Sequence, residues 1–152
     1  MKKLFICLAL GGFTAIGQAT EKPLDWPQFR GPNGSGVADG QKPPLDIGPE
    51  KNVKWKVPVP GGMSSPIVAN DKLVMTAFHG GKLYTIAYDR TDGREIWRTE
   101  APAKRIEGFH KTEGSPAAST PATNGKQIHL RDSSTIRMLT RTVKLRATNG
   151  KP

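Results

Sequence analysis

Between residues 64 and 100 the chain alternates short apolar runs with turn signals, and this rhythm restricts its fold more than any other feature. KLVMTAF (72–78) and KLYTIAYD (82–89) are strand-length runs, rich in β-branched and aromatic residues. SSPIVA (64–69) precedes them and REIWRTE (94–100) follows. Asn70-Asp71 is a tight hairpin signal, and His79-Gly80-Gly81 turns the chain again. Arg90-Thr91-Asp92-Gly93 ends on the residue that tolerates positive φ. The pattern predicts four strands in an antiparallel meander. VKWKVPV (53–59) also alternates, with Val53, Trp55, Val57 and Val59 on one face and Lys54 and Lys56 on the other. It is predicted as a strand broken by the Pro-Gly-Gly that follows. Helix is nearly absent. Only the N-terminal leader and residues 136–147 could bear one, and there TVKLRA (142–147) favours an amphipathic strand.

The ends of the chain differ from this centre. MKK, an uncharged apolar run and a small residue at Ala19 have the layout of a signal peptide over residues 1–19. The run is short for a membrane-spanning helix, so secretion or export to a periplasm is expected, with no membrane span after cleavage. Cys7, the single cysteine, lies inside that apolar run. The mature chain would then hold no disulfide, thiol nucleophile or cysteine metal site. Residues 20–52 are rich in Pro and Gly and carry no period, which predicts an extended, turn-filled lead segment whose apolar anchors, Trp26 and Phe29, either pin it to a surface or sit in a poorly ordered arm. GPNGSG within it is neither G-x-G-x-x-G nor a phosphate loop. Asn33-Gly34-Ser35 fits a glycosylation sequon.

The net charge is +10, but it is unevenly placed. Residues 20–125 hold 14 basic and 12 acidic side chains, whereas residues 126–152 hold seven basic and one acidic. The basic tail lacks aromatic residues for base stacking. Nucleic acid is not an expected partner.

A second unit follows the first. Trp55 and Trp97 each begin a stretch with a basic residue, a Pro within a few positions, a Ser/Thr-Pro and a turn ending in Lys. The turns are Asn70-Asp71-Lys72 and Asn124-Gly125-Lys126. The motif Asp89, Gly93, Glu95, Trp97, with Ser65-Pro66 and Leu83-Tyr84 upstream, resembles the PQQ-type β-propeller repeat, or quinoprotein repeat. DWPQFRGPNGSGVA followed by NVKWKVPVPGGMSSPIV is similar to the N-terminus of secreted bacterial PQQ-like propeller proteins, and the resemblance covers residues 25–128.

The resemblance implies an all-β fold, a fragment of a β-propeller. It would comprise a lead segment (20–52), a first four-stranded antiparallel blade (53–100), an inter-blade insertion (101–120) and a divergent, incomplete second blade (121–152). It also implies that Trp97 docks against the next blade while Asp89 braces the turn. Asp89, Gly93, Trp97, Trp55, Ser65 and Pro66 are therefore expected to be architectural. The tail departs from the pattern: Arg146 stands where a bracing Asp would precede Gly150. A truncated or frame-disturbed second unit is the expectation there. Too few blades for a closed ring would leave apolar surface and strand edges open, which predicts self-association or another macromolecular partner.

Chemistry is harder to place. Ser64, Ser65, His79 and Asp89 are the nearest hydrolytic set, but GGMSSP is not a nucleophile elbow. His79, His110 and His129 lack metal-ligand spacing. His110, beside Glu107 and Glu113, marks the loop best suited to ligand contact. Enzymes of the resembled family hold PQQ with calcium, a catalytic Asp and, in several, adjacent cysteines. No residue here can be assigned those roles, so no cofactor is expected in this chain except by resemblance. A non-catalytic binding or scaffolding protein is the first expectation. An N-terminal fragment of a PQQ-dependent quinoprotein oxidoreductase is the alternative.

Overall fold

In a computed structural model, the structure describes residues 25–101, 103, 105, 106, 108–110, 112–131, 138 and 139. The readings of the leader, Cys7, Glu107, TVKLRA, Arg146 and Gly150 lie outside them. Among the described residues the chain is all-β, with a single 3-10 turn at Pro32–Gly34. No helix among the described residues is long and apolar enough to cross a membrane.

Four strands form the first sheet in chain order: β1 (Ile67–Ala69), β2 (Lys72–His79), β3 (Lys82–Asp89) and β4 (Glu95–Ala101). Every pairing is antiparallel. Local chemistry explains the meander. Asn70 and Asp71 both take positive φ (49° and 57°), as do Gly80 and Gly81 (57° and 76°). Two left-handed residues in succession make the hairpin turn whose twist matches the flanking strands. Ala69↔Lys72 and His79↔Lys82 close those turns.

The third turn is longer. The Asp89 and Gly93 N–H groups donate to Arg94 O (2.8 Å) and Asp89 O (2.9 Å), with Gly93 at φ 76°. Just beyond it the register slips between Ala87 and Tyr88, leaving Ile96 as the extra residue of a bulge. Residues three apart on a regular strand face opposite ways. The bulge puts Glu95 and Arg98 on one face, where they form an ion pair at 2.8 Å.

The two faces of this sheet are covered differently. One presents Ile67, Val74, Ala87 and Trp97 in a row across all four strands. Ile128 is buried with that row, and Trp97 and Leu130 pack against it. Ile128 and Leu130 belong to the second sheet, made of β5 (Ala122–Thr123), β6 (Ile128–Arg131) and β7 (Met138–Leu139). The opposite face buries Ala77, Ile86 and Tyr88, with Leu73, Met75, Tyr84 and Val57 around them.

Val57 belongs to the stretch predicted as a strand at 53–59, and that prediction fails. The segment carries no strand, and Val53 and Val59 are 45% and 47% exposed. Pro58 and Pro60 have no N–H to give a ladder. Trp55 and Val57 still turn inward, which preserves the alternation without the pairing. Residues 103–120 contain no strand among the described residues. Within them Ala117 is 2% exposed, and Pro121, just beyond, is fully buried.

Candidate functional site

The residues singled out by their spacing fall into two groups, one around the β3–β4 turn and one along the β1–β2 edge. At the turn, the Asp89 carboxylate accepts the Thr91 N–H (2.8 Å) and Arg94 Nη2 (3.1 Å). Asp92 Oδ1 accepts the Arg94 N–H at 3.0 Å. The Thr91 N–H is the main reason that the Asp89 carboxyl titrates below its ordinary value, with the Arg94 guanidinium adding to it.

Gly93 serves two purposes in this turn. Its φ of 76° suits glycine, and the Trp55 ring lies against it so closely that a Cβ would stand 2.5 Å from the ring. Trp55 Nε1 donates to Arg90 O at 2.9 Å, so both the ring and the polar edge of this tryptophan are satisfied by one turn. Trp97, four residues beyond Gly93, points to the face shared with the second sheet.

Along the β1–β2 edge, Ser64 stands in for a strand residue. Its hydroxyl accepts the Thr76 N–H (3.0 Å) and donates to Thr76 O (3.2 Å). The Ser65 N–H donates to Thr120 Oγ1 at 3.0 Å. Thr76 Oγ1 donates to Ser119 O at 3.0 Å. Pro66 immediately precedes β1, at a position where the missing N–H costs no ladder bond.

The structure does not assemble the hydrolytic set. His79 pairs with Lys82 at one end of β2, whereas Asp89 pairs with Lys72 at the other. Seven residues of strand at about 3.4 Å each separate those ends, on the order of 24 Å. Ser64 is committed to the Thr76 backbone. His110 Nδ1 meets Thr112 Oγ1 at 3.0 Å, in a loop that packs Phe109 edge-on against Phe78 (5.7 Å, 75°). His129 lies on β6 opposite Ala122. Among the described residues, no three His, Cys, Asp or Glu side chains converge as a metal site would require.

Two groups escaped the sequence reading. Tyr88 is 4% exposed and its hydroxyl has no hydrogen-bond partner among the described residues; burial raises its pKa above the ordinary phenol value. A buried aromatic in a strand pattern gives no hint of where its hydroxyl ends. The other group is Trp26-Pro27 in the lead segment. The Trp26 N–H donates to Val68 O (2.7 Å), and Trp26 O accepts the Val68 N–H (2.9 Å). Pro27 O accepts the Thr123 N–H at 2.8 Å. This dipeptide therefore lies between β1 of one sheet and β5 of the other. Trp26 was recognisable as an anchor, but the bridging of two distant strands by Trp26-Pro27 was not, and Phe29, expected to anchor beside it, is 60% exposed.

No known protein family matches the chain, and no characterised protein or solved structure does either.

Proposed function

We propose that this protein is an exported, non-catalytic repeat protein of the PQQ-like β-propeller kind, acting in binding or scaffolding. One observation carries the reading: Trp97, placed by the Asp89–Gly93 turn, packs against the buried cluster that Ile67, Val74 and Ala87 form with Ile128 of the following sheet. A large aromatic spent on sheet-to-sheet contact is architecture, and it is the role that the resembled repeat gives to this position. Ser64 and Asp89, two of the side chains with chemical potential, are engaged by local structural partners. The leader pattern at residues 1–19 supports export.

Two measurements test this reading. Light scattering across a concentration series is expected to show self-association, as open sheet edges imply. A strictly monomeric chain with one steep urea transition would count against it. PQQ and Ca²⁺ added to the protein are expected to leave no retained cofactor absorbance. Stoichiometric retention would replace this reading with the quinoprotein oxidoreductase alternative.

A further inference from the structure

The geometry points to a peptide-binding seam between β1 and β5, filled within one chain by Asp25-Trp26-Pro27 and able to take the same segment from a second copy. Three backbone groups define the seam: the N–H and C=O of Val68 and the N–H of Thr123. They call for an extended ligand with a donor and an acceptor on one residue and an acceptor alone on the next. Trp-Pro meets that demand. Trp26 supplies both groups, and Pro27 is asked only for its carbonyl, so its missing N–H costs nothing. The ligand also needs a glycine further on. Gly31 has φ 69°, and a Cβ there would stand 2.6 Å from the Trp26 ring.

The slot has supports of its own on either side. The Ser65 N–H donates to Thr120 Oγ1 (3.0 Å) and Asn70 Nδ2 to Gly125 O (2.7 Å), both directly between the two parts. Trp97, Ile128 and Leu130 join the sheets through their core. None of these contacts uses the lead segment, so the sheets stay docked when it departs.

The tether permits departure. Residues 32–54 hydrogen-bond mainly among themselves, as in the Asp46–Lys51 pair and the Asn52 side chain on Asp46 O. Leu45 is fully exposed and Ile47 is 73% exposed. Releasing such a tether disturbs little packing. Every bond that the segment makes to its own seam can be made to the seam of a second copy, the condition for exchange between identical chains. The ligand class is thus an extended Trp-Pro peptide added at a sheet edge. This deepens the binding reading above by naming a site and an occupant.

The test uses the full chain and a labelled peptide of residues 25–36, followed by fluorescence anisotropy. Trp26→Pro and Gly31→Val each release the internal segment, the first by removing the N–H that donates to Val68 O and the second by colliding with the Trp26 ring. The peptide is expected to bind either variant at least about tenfold more tightly than wild type, because the tethered segment competes at millimolar effective concentration. A peptide carrying Trp26→Pro, which lacks the N–H that Val68 O accepts, is expected not to bind. Equal affinity for wild type and folded variants, or no binding to any, overturns the proposal. If both variants lose their β-sheet circular dichroism, its recovery on adding peptide supports the seam and no recovery overturns it. Failure here leaves the light-scattering and cofactor results untouched, so the two readings fail separately.

Discussion

The first sheet and the lead segment solve the same problem in opposite ways. Every backbone needs partners for its N–H and C=O groups. In residues 67–101 the strands supply them to one another, and turn residues at known offsets set the register. In residues 25–60 there is no ladder, and the chain is held at a few points. Trp26 pairs with Val68, Trp55 reaches Arg90 O, and Val57 packs on the sheet. Both regions use a tryptophan against a glycine: Trp55 on Gly93 and Trp26 on Gly31. The lesson is that a sheet of this size is specified locally, while an irregular segment is specified by what it touches.

Five substitutions probe that contrast. Trp97→Ala should act most strongly, because it empties the contact between the sheets. A loss of about 3 kcal/mol is expected from truncating a large core aromatic. Urea denaturation measures it, and a change under about 1 kcal/mol would show that the sheets do not depend on this ring. Gly93→Ala comes next. The added methyl meets both an unfavourable φ and the Trp55 ring, with an expected cost of about 2–3 kcal/mol. Gly80→Ala is its control. That position also has positive φ but nothing within 4 Å, so about 1 kcal/mol is expected. Equal costs at the two glycines would mean that the Trp55 contact adds nothing.

A smaller effect is expected at Asp89, and it depends on pH. The native state holds this carboxyl below its ordinary pKa, so ionised Asp89 favours folding above the unfolded value of about 3.9. That contribution disappears as pH falls through the lower native pKa. Asp89→Asn should therefore lower the urea midpoint slightly at pH 7 and leave it unchanged near pH 2. A difference that persists in acid would assign the effect to shape instead of charge. Tyr88→Phe should change least. The lost hydroxyl has no partner, so stability should stay within about 1 kcal/mol of wild type and move upward. A clear destabilisation would show that the hydroxyl finds a partner in solution.

The strands and their turns were open to a sequence reading because each signal is local. Asn70-Asp71 and Gly80-Gly81 announce their turns, and the runs between them end at β2 and β3 within a residue. The same local logic failed at 53–59. Alternation there pointed Trp55 and Val57 inward correctly but not Val53 and Val59, and Pro58 and Pro60 deny the ladder that defines a strand. It also could not show Ser64 replacing a strand residue at Thr76, since a hydroxyl beside a backbone is a fact of proximity. The bulge at Ile96 was equally hidden. Only pairing with β3 reveals that Glu95 and Arg98 share a face.

By itself the sequence determined an all-β chain, its meander and the kinds of turn within it, since period and turn residues act over a few positions. Tertiary structure decided what covers each face of the sheet and where the lead segment is anchored. Those outcomes join residues such as Trp26 with Val68, Pro27 with Thr123, or Trp55 with Gly93, across long stretches of chain. No local preference encodes such meetings; they arise when burial brings the only compatible surfaces together.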